Sequence, residues 1–259
     1  MRHFLSPCSL KLSDYGLRLF GTSSRLLDIW PSLVKSPILT HFSWSPLILA
    51  AIAANANVIH PALSSVTASS FFPSSHTPPL SGLIAVHIRR GDYVDMCTSF
   101  ANWSTHYMGF NEFPDLPDRF YPPDVPSAGN APPEEHARYR AHCFPDIAQI
   151  VTRVGEVRLG MLGKAPLLSR VYVLTNGRPE WLAELKEALQ ADARASGLEE
   201  WIHIGTSRDL RLTKEQQRNS QAMDMAVAQR AEVFLGTGVR VVFLLLFWWV
   251  ADEAISFRV

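Results

Sequence analysis

The chain has 259 residues, 47% hydrophobic and 19% charged, an ordinary globular composition with room for one large domain or two small ones. Lys plus Arg equals Asp plus Glu, so the formal net charge is zero. A nucleic-acid binder would carry a basic excess or stripe, so the balance argues against that class while leaving a local anion site open.

Residues 1–20 have some charge and some apolar content but no uninterrupted apolar stretch and no clear small-residue cleavage site, so the N-terminus does not settle targeting. Periodicity begins near Asp28, with Ile29, Trp30 and Leu33, and continues through Trp44 and the apolar run 47–52. Ser45 followed by Pro46 marks a helix start, because proline suits the first helical position. The apolar runs 46–56 and 241–251 are both shorter than the roughly 20 residues a bilayer requires, so no membrane span is expected. Residues 62–81 are rich in Ser, Thr and Pro and read as a linker.

Residues 83–88 are a short apolar run ending in charge and glycine, the pattern of a buried parallel strand feeding a loop. The proline-rich, acidic stretch 111–133 predicts a long surface loop. A helix is expected over 144–162, with Pro145 in its first turn and Ile147, Ile150, Val151 and Val154 on one face. A second strand covers 171–175 and stops at Asn176-Gly177. Pro179 opens a helix carrying Leu182, Leu185 and Leu189 on one side. A third strand is expected over 201–204. Thr213 with Gln216 forms a capping-box signature for a helix running to about Arg230, and a fourth strand covers 232–235. Strands alternating with helices predict an α/β fold, a mostly parallel sheet covered on both faces. The organisation expected is an N-terminal helical remnant and linker (1–81), a Rossmann-like domain (82–238) and an atypical hydrophobic tail (239–259).

The three cysteines are Cys8, Cys97 and Cys143, with no CxxC and no zinc spacing. Cys97 and Cys143 are open to two readings, a disulfide in an oxidising compartment or a pair of partly buried thiols. Asn102-Trp103-Ser104 is a glycosylation sequon that matters only in a secretory chain.

The sharpest feature is His87-Ile88-Arg89-Arg90-Gly91-Asp92, at a strand end. Ligands of open α/β sheets bind beyond the carboxyl ends of strands. Strand alternation sets His87 and Arg89 on one side. A guanidinium fork holds two phosphate oxygens at once, so an arginine at this edge suits a diphosphate. Gly91 allows a close turn, and Asp92 is placed to orient one of the arginines. The competing reading is a charged strand terminus that is merely solvated. Asp224 sits among Ala222, Met225, Ala226 and Val227, where a carboxylate needs partners such as a base edge or a ribose hydroxyl. It is otherwise an exposed helix carboxylate. Gly236-Thr237-Gly238 follows a strand and offers backbone N–H groups to phosphate, a weak signal by itself.

With these residues in place, the stretch 28–235 resembles fungal proteins of the O-fucosyltransferase-like family. The resemblance rests on Asp28-Ile29-Trp30-Pro31, on His41 through Pro46, on His87 through Tyr93 and on Leu116 through Phe120. Residues 171–177, Ser207-Arg208-Asp209-Leu210 and 221–236 extend it. The His-x-Arg-Arg element is shared with protein O-fucosyltransferases and α-1,6-fucosyltransferases. The resemblance implies the donor-binding half of a GT-B glycosyltransferase, with GDP-fucose as donor substrate and no obligatory metal. It implies an inverting transfer to a hydroxyl of a protein or glycan acceptor, and a secretory-pathway or Golgi location. Arg89 would contact the β-phosphate and stabilise departing GDP. Arg90 and Asp92 would shape the same loop, while His87 and Asp224 would read guanine or ribose.

Two departures accompany it. After Gly238 the expected phosphate-loop serines are replaced by a greasy run with two tryptophans, which reads as an error of the gene model. Most of the acceptor-side domain is also missing by this reading. The alternatives to a transferase are a binding-only fragment and a structural α/β module whose arginines pair internally.

Overall fold

The computed structural model describes residues 23–33, 35–60, 80–107, 120–124, 127–163, 167–237 and 256–258; the side chains of residues 23–27, 38 and 256–258 are not among them. In chain order the helices and strands are α1 (Ser23–Leu33), α2 (Pro37–Thr40), α3 (Pro46–Ala54), α4 (Ala56–Ile59) and β1 (Leu80–Ile88). There follow α5 (Tyr93–Asn102), α6 (Pro133–Cys143), α7 (Ile147–Gly160), β2 (Arg170–Thr175), α8 (Pro179–Ala195) and β3 (His203–Thr206). A 3₁₀ turn (Ser207–Asp209) leads to α9 (Lys214–Arg218), α10 (Ser220–Gln229), β4 (Ala231–Gly236) and β5 (Ser256–Arg258). The five strands form one parallel sheet in the order β3-β2-β1-β4-β5. The chain is therefore an α/β protein with a Rossmann-like sheet.

Side-chain alternation along the strands divides the core into two layers. Leu83 and Ala85 of β1, with Tyr172 and Leu174 of β2, face Ile48 and Ile52 of α3 and Met223 and Val227 of α10. Ile84, Val86 and Ile88, with Val171 and Val173, face Val154 of α7 and Leu182, Leu185 and Leu189 of α8. Polar contacts lock the first layer: Trp44 Nε1 donates to Gln229 Oε1 at 2.8 Å. Buried Asn55 donates to Arg211 O at 3.0 Å and accepts from Arg211 N at 2.7 Å.

A third cluster lies beside the sheet, where α5 and α6 enclose Tyr107, Phe120 and Tyr139. A disulfide joins Cys97 of α5 to Cys143 of α6, which decides the question the spacing left open. The Tyr107 hydroxyl donates to Tyr139 O and the Tyr139 hydroxyl to Thr105 O, both at 3.0 Å. Burial pushes the Tyr139 phenol up to about 12.

Several boundaries differ from expectation for identifiable reasons. The helix expected from 144 starts at Ile147, because Asp146 and Gln149 form a reciprocal capping box and leave Pro145 outside. The third strand starts at His203 rather than 201, because the Trp201 backbone is bound on both sides by the Gln190 amide of α8, each at 2.8 Å. The helix expected from Thr213 to Arg230 breaks at Asn219 into α9 and α10, although the Thr213–Gln216 box is present. Helices α5 and α6 were not foreseen at all. Residues 111–119 and 125–126 of the expected loop 111–133, and the greasy tail up to residue 255, lie outside the described residues. Among the described residues, no helix is long and apolar enough to cross a membrane.

Candidate functional site

The carboxyl ends of β1, β2 and β3 open onto a crevice of about 570 Å³, closed on one side by α10. His87 and Arg89 reach it from β1, Thr175 and Asn176 from β2, Ser207 and Arg208 from the turn after β3, and Asp224 from α10. His87 and Arg89 share the strand face of Leu83 and Ala85, and α10 packs on that same face. The alternation that joined them in the sequence thus also brings them to Asp224.

Arg89 is the first residue past the β1 ladder. Its Nη2 lies 3.2 Å from Asp92 Oδ1, in a pair whose Asp92 side chain is 78% exposed. Such an exposed pair holds weakly and yields easily to a stronger anion. Arg89 Nε is buried without a hydrogen-bond partner among the described residues. Asp92 is thereby placed to orient Arg89, and it also occupies the cap position of α5.

The Arg90 side chain is not among those that line this crevice. It is 8% exposed and points to the other face of the sheet, between the rings of Phe144 and Trp181, 4.5 and 4.2 Å from their centroids. Its Nη2 donates to Pro145 O. Burial lowers its pKa to about 10 against the opposing pull of Asp146. It lines a second, largely apolar concavity of about 690 Å³ with Arg140, Phe144 and Trp181. The reason is elementary, since one residue along an extended chain reverses the side.

Asp224 is half-buried, and the protein itself supplies partners for it. Ser207 Oγ donates to Asp224 Oδ1 at 2.8 Å while accepting from the Thr175 N–H at 3.0 Å. The Tyr172 hydroxyl donates to the same oxygen at 3.3 Å. Tyr172 is fully buried, and burial together with the Asp224 charge raises its pKa well above the usual phenol value, so it stays a donor. A hydroxyl and a phenol therefore hold the Asp224 carboxylate where it lines the crevice.

Gly236 pairs with His87 in the β1–β4 ladder, and the Thr237 N–H donates to His87 O at 3.3 Å. Both border the motif without lining the crevice, and Thr237 Oγ1 is buried without a partner among the described residues. Residues 238–240 lie outside the described set. Among the described residues, no group of three His, Cys, Asp or Glu side chains stands together as a metal site would require.

Sequence reasoning gave no role to Tyr172 or Ser207, although both fall in stretches that carry the resemblance, and it missed the part played by Asn176. Tyr172 was within reach by alternation, since it shares a face with Leu174. Asn176 was read only as the stop of the second strand, but its amide does more. Its Oδ1 accepts from the Arg90 N–H at 2.7 Å and its Nδ2 donates to Arg90 O at 3.0 Å.

No family model matches the chain, and no curated protein matches it. Among solved structures, it is similar to POFUT1 in complex with GDP, at 14% identity and a TM-score of 0.46, over 85% of this chain and 50% of that one. It is likewise similar to POFUT1 in complex with GDP-fucose, at 16% identity and a TM-score of 0.44, over 85% and 49%. The chain spans about half the length of these structures.

Proposed function

We propose that the crevice binds the nucleoside diphosphate of an activated sugar, GDP-fucose by the sequence resemblance, and serves transfer of the sugar to a hydroxyl acceptor. The observation that carries this reading is the convergence of Arg89, His87 and Asp224 on one open crevice at the carboxyl edge of a parallel sheet. Arg89 lines the crevice, and the Asp92 carboxylate that pairs with it is exposed and holds it loosely. A diphosphate is a stronger partner than Asp92, because it accepts from the guanidinium fork through two oxygens. The donor then lies with its diphosphate at Arg89 and its nucleoside toward Ser207 and Asp224.

Transfer breaks the bond between the anomeric carbon and the β-phosphate oxygen. Negative charge grows on that oxygen, and Arg89 stabilises it, an effect that usually forms a large share of catalysis. The acceptor oxygen attacks the opposite face of the anomeric carbon, which inverts it, and loses its proton. The Cys97–Cys143 disulfide supports a secretory compartment for the chain.

Calorimetry with GDP tests the reading. Arg89→Ala is expected to weaken GDP binding about a hundredfold, as loss of a charge-assisted fork implies. Unchanged affinity in that variant removes Arg89 from the site. One observation favours a second reading, binding without transfer: the Thr237 N–H, a candidate phosphate donor, is already engaged by His87 O. Measurable fucose transfer by this chain rejects that second reading.

A further inference from the structure

The β1–β2 ladder ends at the pair Ile88 and Thr175. Arg89 follows immediately, and past it Asn176 grips the Arg90 backbone through both amide atoms, at 2.7 and 3.0 Å. The grip imitates one further ladder rung, made by a side chain where the strands have already parted. Gly91 then turns the chain with φ of +75°, a region glycine enters without strain. The Arg90 side chain is itself wedged between Phe144 and Trp181 and tied to Pro145 O. Arg89 therefore sits between two fixed points, the last rung and the clamp.

We infer that Asn176, with Arg90 as its strut, is a positioning residue that aims the Arg89 guanidinium at the ligand's terminal phosphate. The inference rests on the reading of Arg89 as a diphosphate ligand. Arg90 here acts on the donor only through Arg89. A small misplacement is costly in such a site, since about 1 Å can lose a hundredfold in rate. Asn176 also lines the crevice, so direct contact with the ligand is the rival explanation.

A double-mutant cycle separates the two on the full chain, titrated with GDP and with GMP, which lacks the terminal phosphate. Asn176→Ala is expected to weaken GDP binding about tenfold, as loss of a buried-group pairing implies, and to leave GMP within about twofold. In the Arg89→Ala background the same change is expected to cost nothing further. Arg90→Lys, which keeps the charge but loses the planar stack, is expected to repeat this pattern should Asn176→Ala fail to fold. An equal loss in both backgrounds, or an equal loss for GMP, overturns the inference in favour of direct contact or general damage. No loss for GDP overturns it outright. Failure of the unmodified chain to bind GDP is a separate result that sinks the nucleotide reading beneath it.

Discussion

At the scale of single residues, the site depends on a parity rule. Arg89 and Arg90 are neighbours with the same chemistry, yet one faces the crevice and the other is wedged between two aromatic rings. A shift of one residue in the β1 register would exchange them. The fold also depends on a close approach that a single methyl group would spoil. A Cβ at Gly205 would lie 2.1 Å from Val58 O, a backbone atom of α4 that His203 Nε2 also meets at 2.8 Å. Gly205→Ala is therefore expected to destabilise the protein by about 3 kcal/mol, as forced overpacking does. The urea midpoint should fall with an unchanged slope, and a midpoint within error of the parent would refute the contact.

At the scale of elements, the α5–α6 pair is held differently from the rest. It lies outside the sheet's two layers, with a small aromatic cluster and a disulfide closing a sequence separation of 46 residues. Loop-closure entropy for a cross-link of that span is about 4 kcal/mol. Cys97→Ser with Cys143→Ser is expected to lower the melting temperature strongly and to expose the α5–α6 segment to proteolysis. A double variant as stable as the parent would show that the aromatic cluster suffices. This pair was also the least legible part of the sequence. Helix α6, with residues such as Glu134, Glu135, Arg138 and Arg140, has little apolar periodicity, and two cysteines alone do not declare a bond. The helix α8, by contrast, was plain from Pro179 and the Leu182–Leu185–Leu189 stripe, because packing on the sheet demands that stripe.

At the scale of the whole molecule, stability should depend on pH through buried imidazoles. Burial lowers the pKa of His60, whose Nε2 meets Ser81 O at 3.0 Å, with Arg170, Arg230 and His203 adding to the effect. Burial and Arg138 lower His142 in the same way. Below the ordinary histidine value of 6.5 the unfolded chain takes up protons that the folded chain refuses. The unfolded state binds more protons, so stability rises with pH in that window and falls as pH drops through it. Urea midpoints measured from about pH 7.5 down to pH 5.5 should decline, and His60→Gln should flatten the decline. A flat profile in the parent would mean that both rings protonate freely in the folded state.

The sequence by itself determined the parallel α/β plan, the strands near β1, β2 and β4, the capping box at Thr213 and the pairing of His87 with Arg89 on one side. Each follows from local periodicity or local chemistry, which needs no knowledge of distant residues. Only the tertiary structure decided that Arg90 is not among the side chains lining the crevice, that Asn176 clamps its backbone, that Ser207 and Tyr172 hold Asp224, and that Cys97 bonds Cys143. Those are contacts between residues tens of positions apart. They exist because sheet order and helix packing bring separate segments to one edge, and no local pattern encodes that meeting.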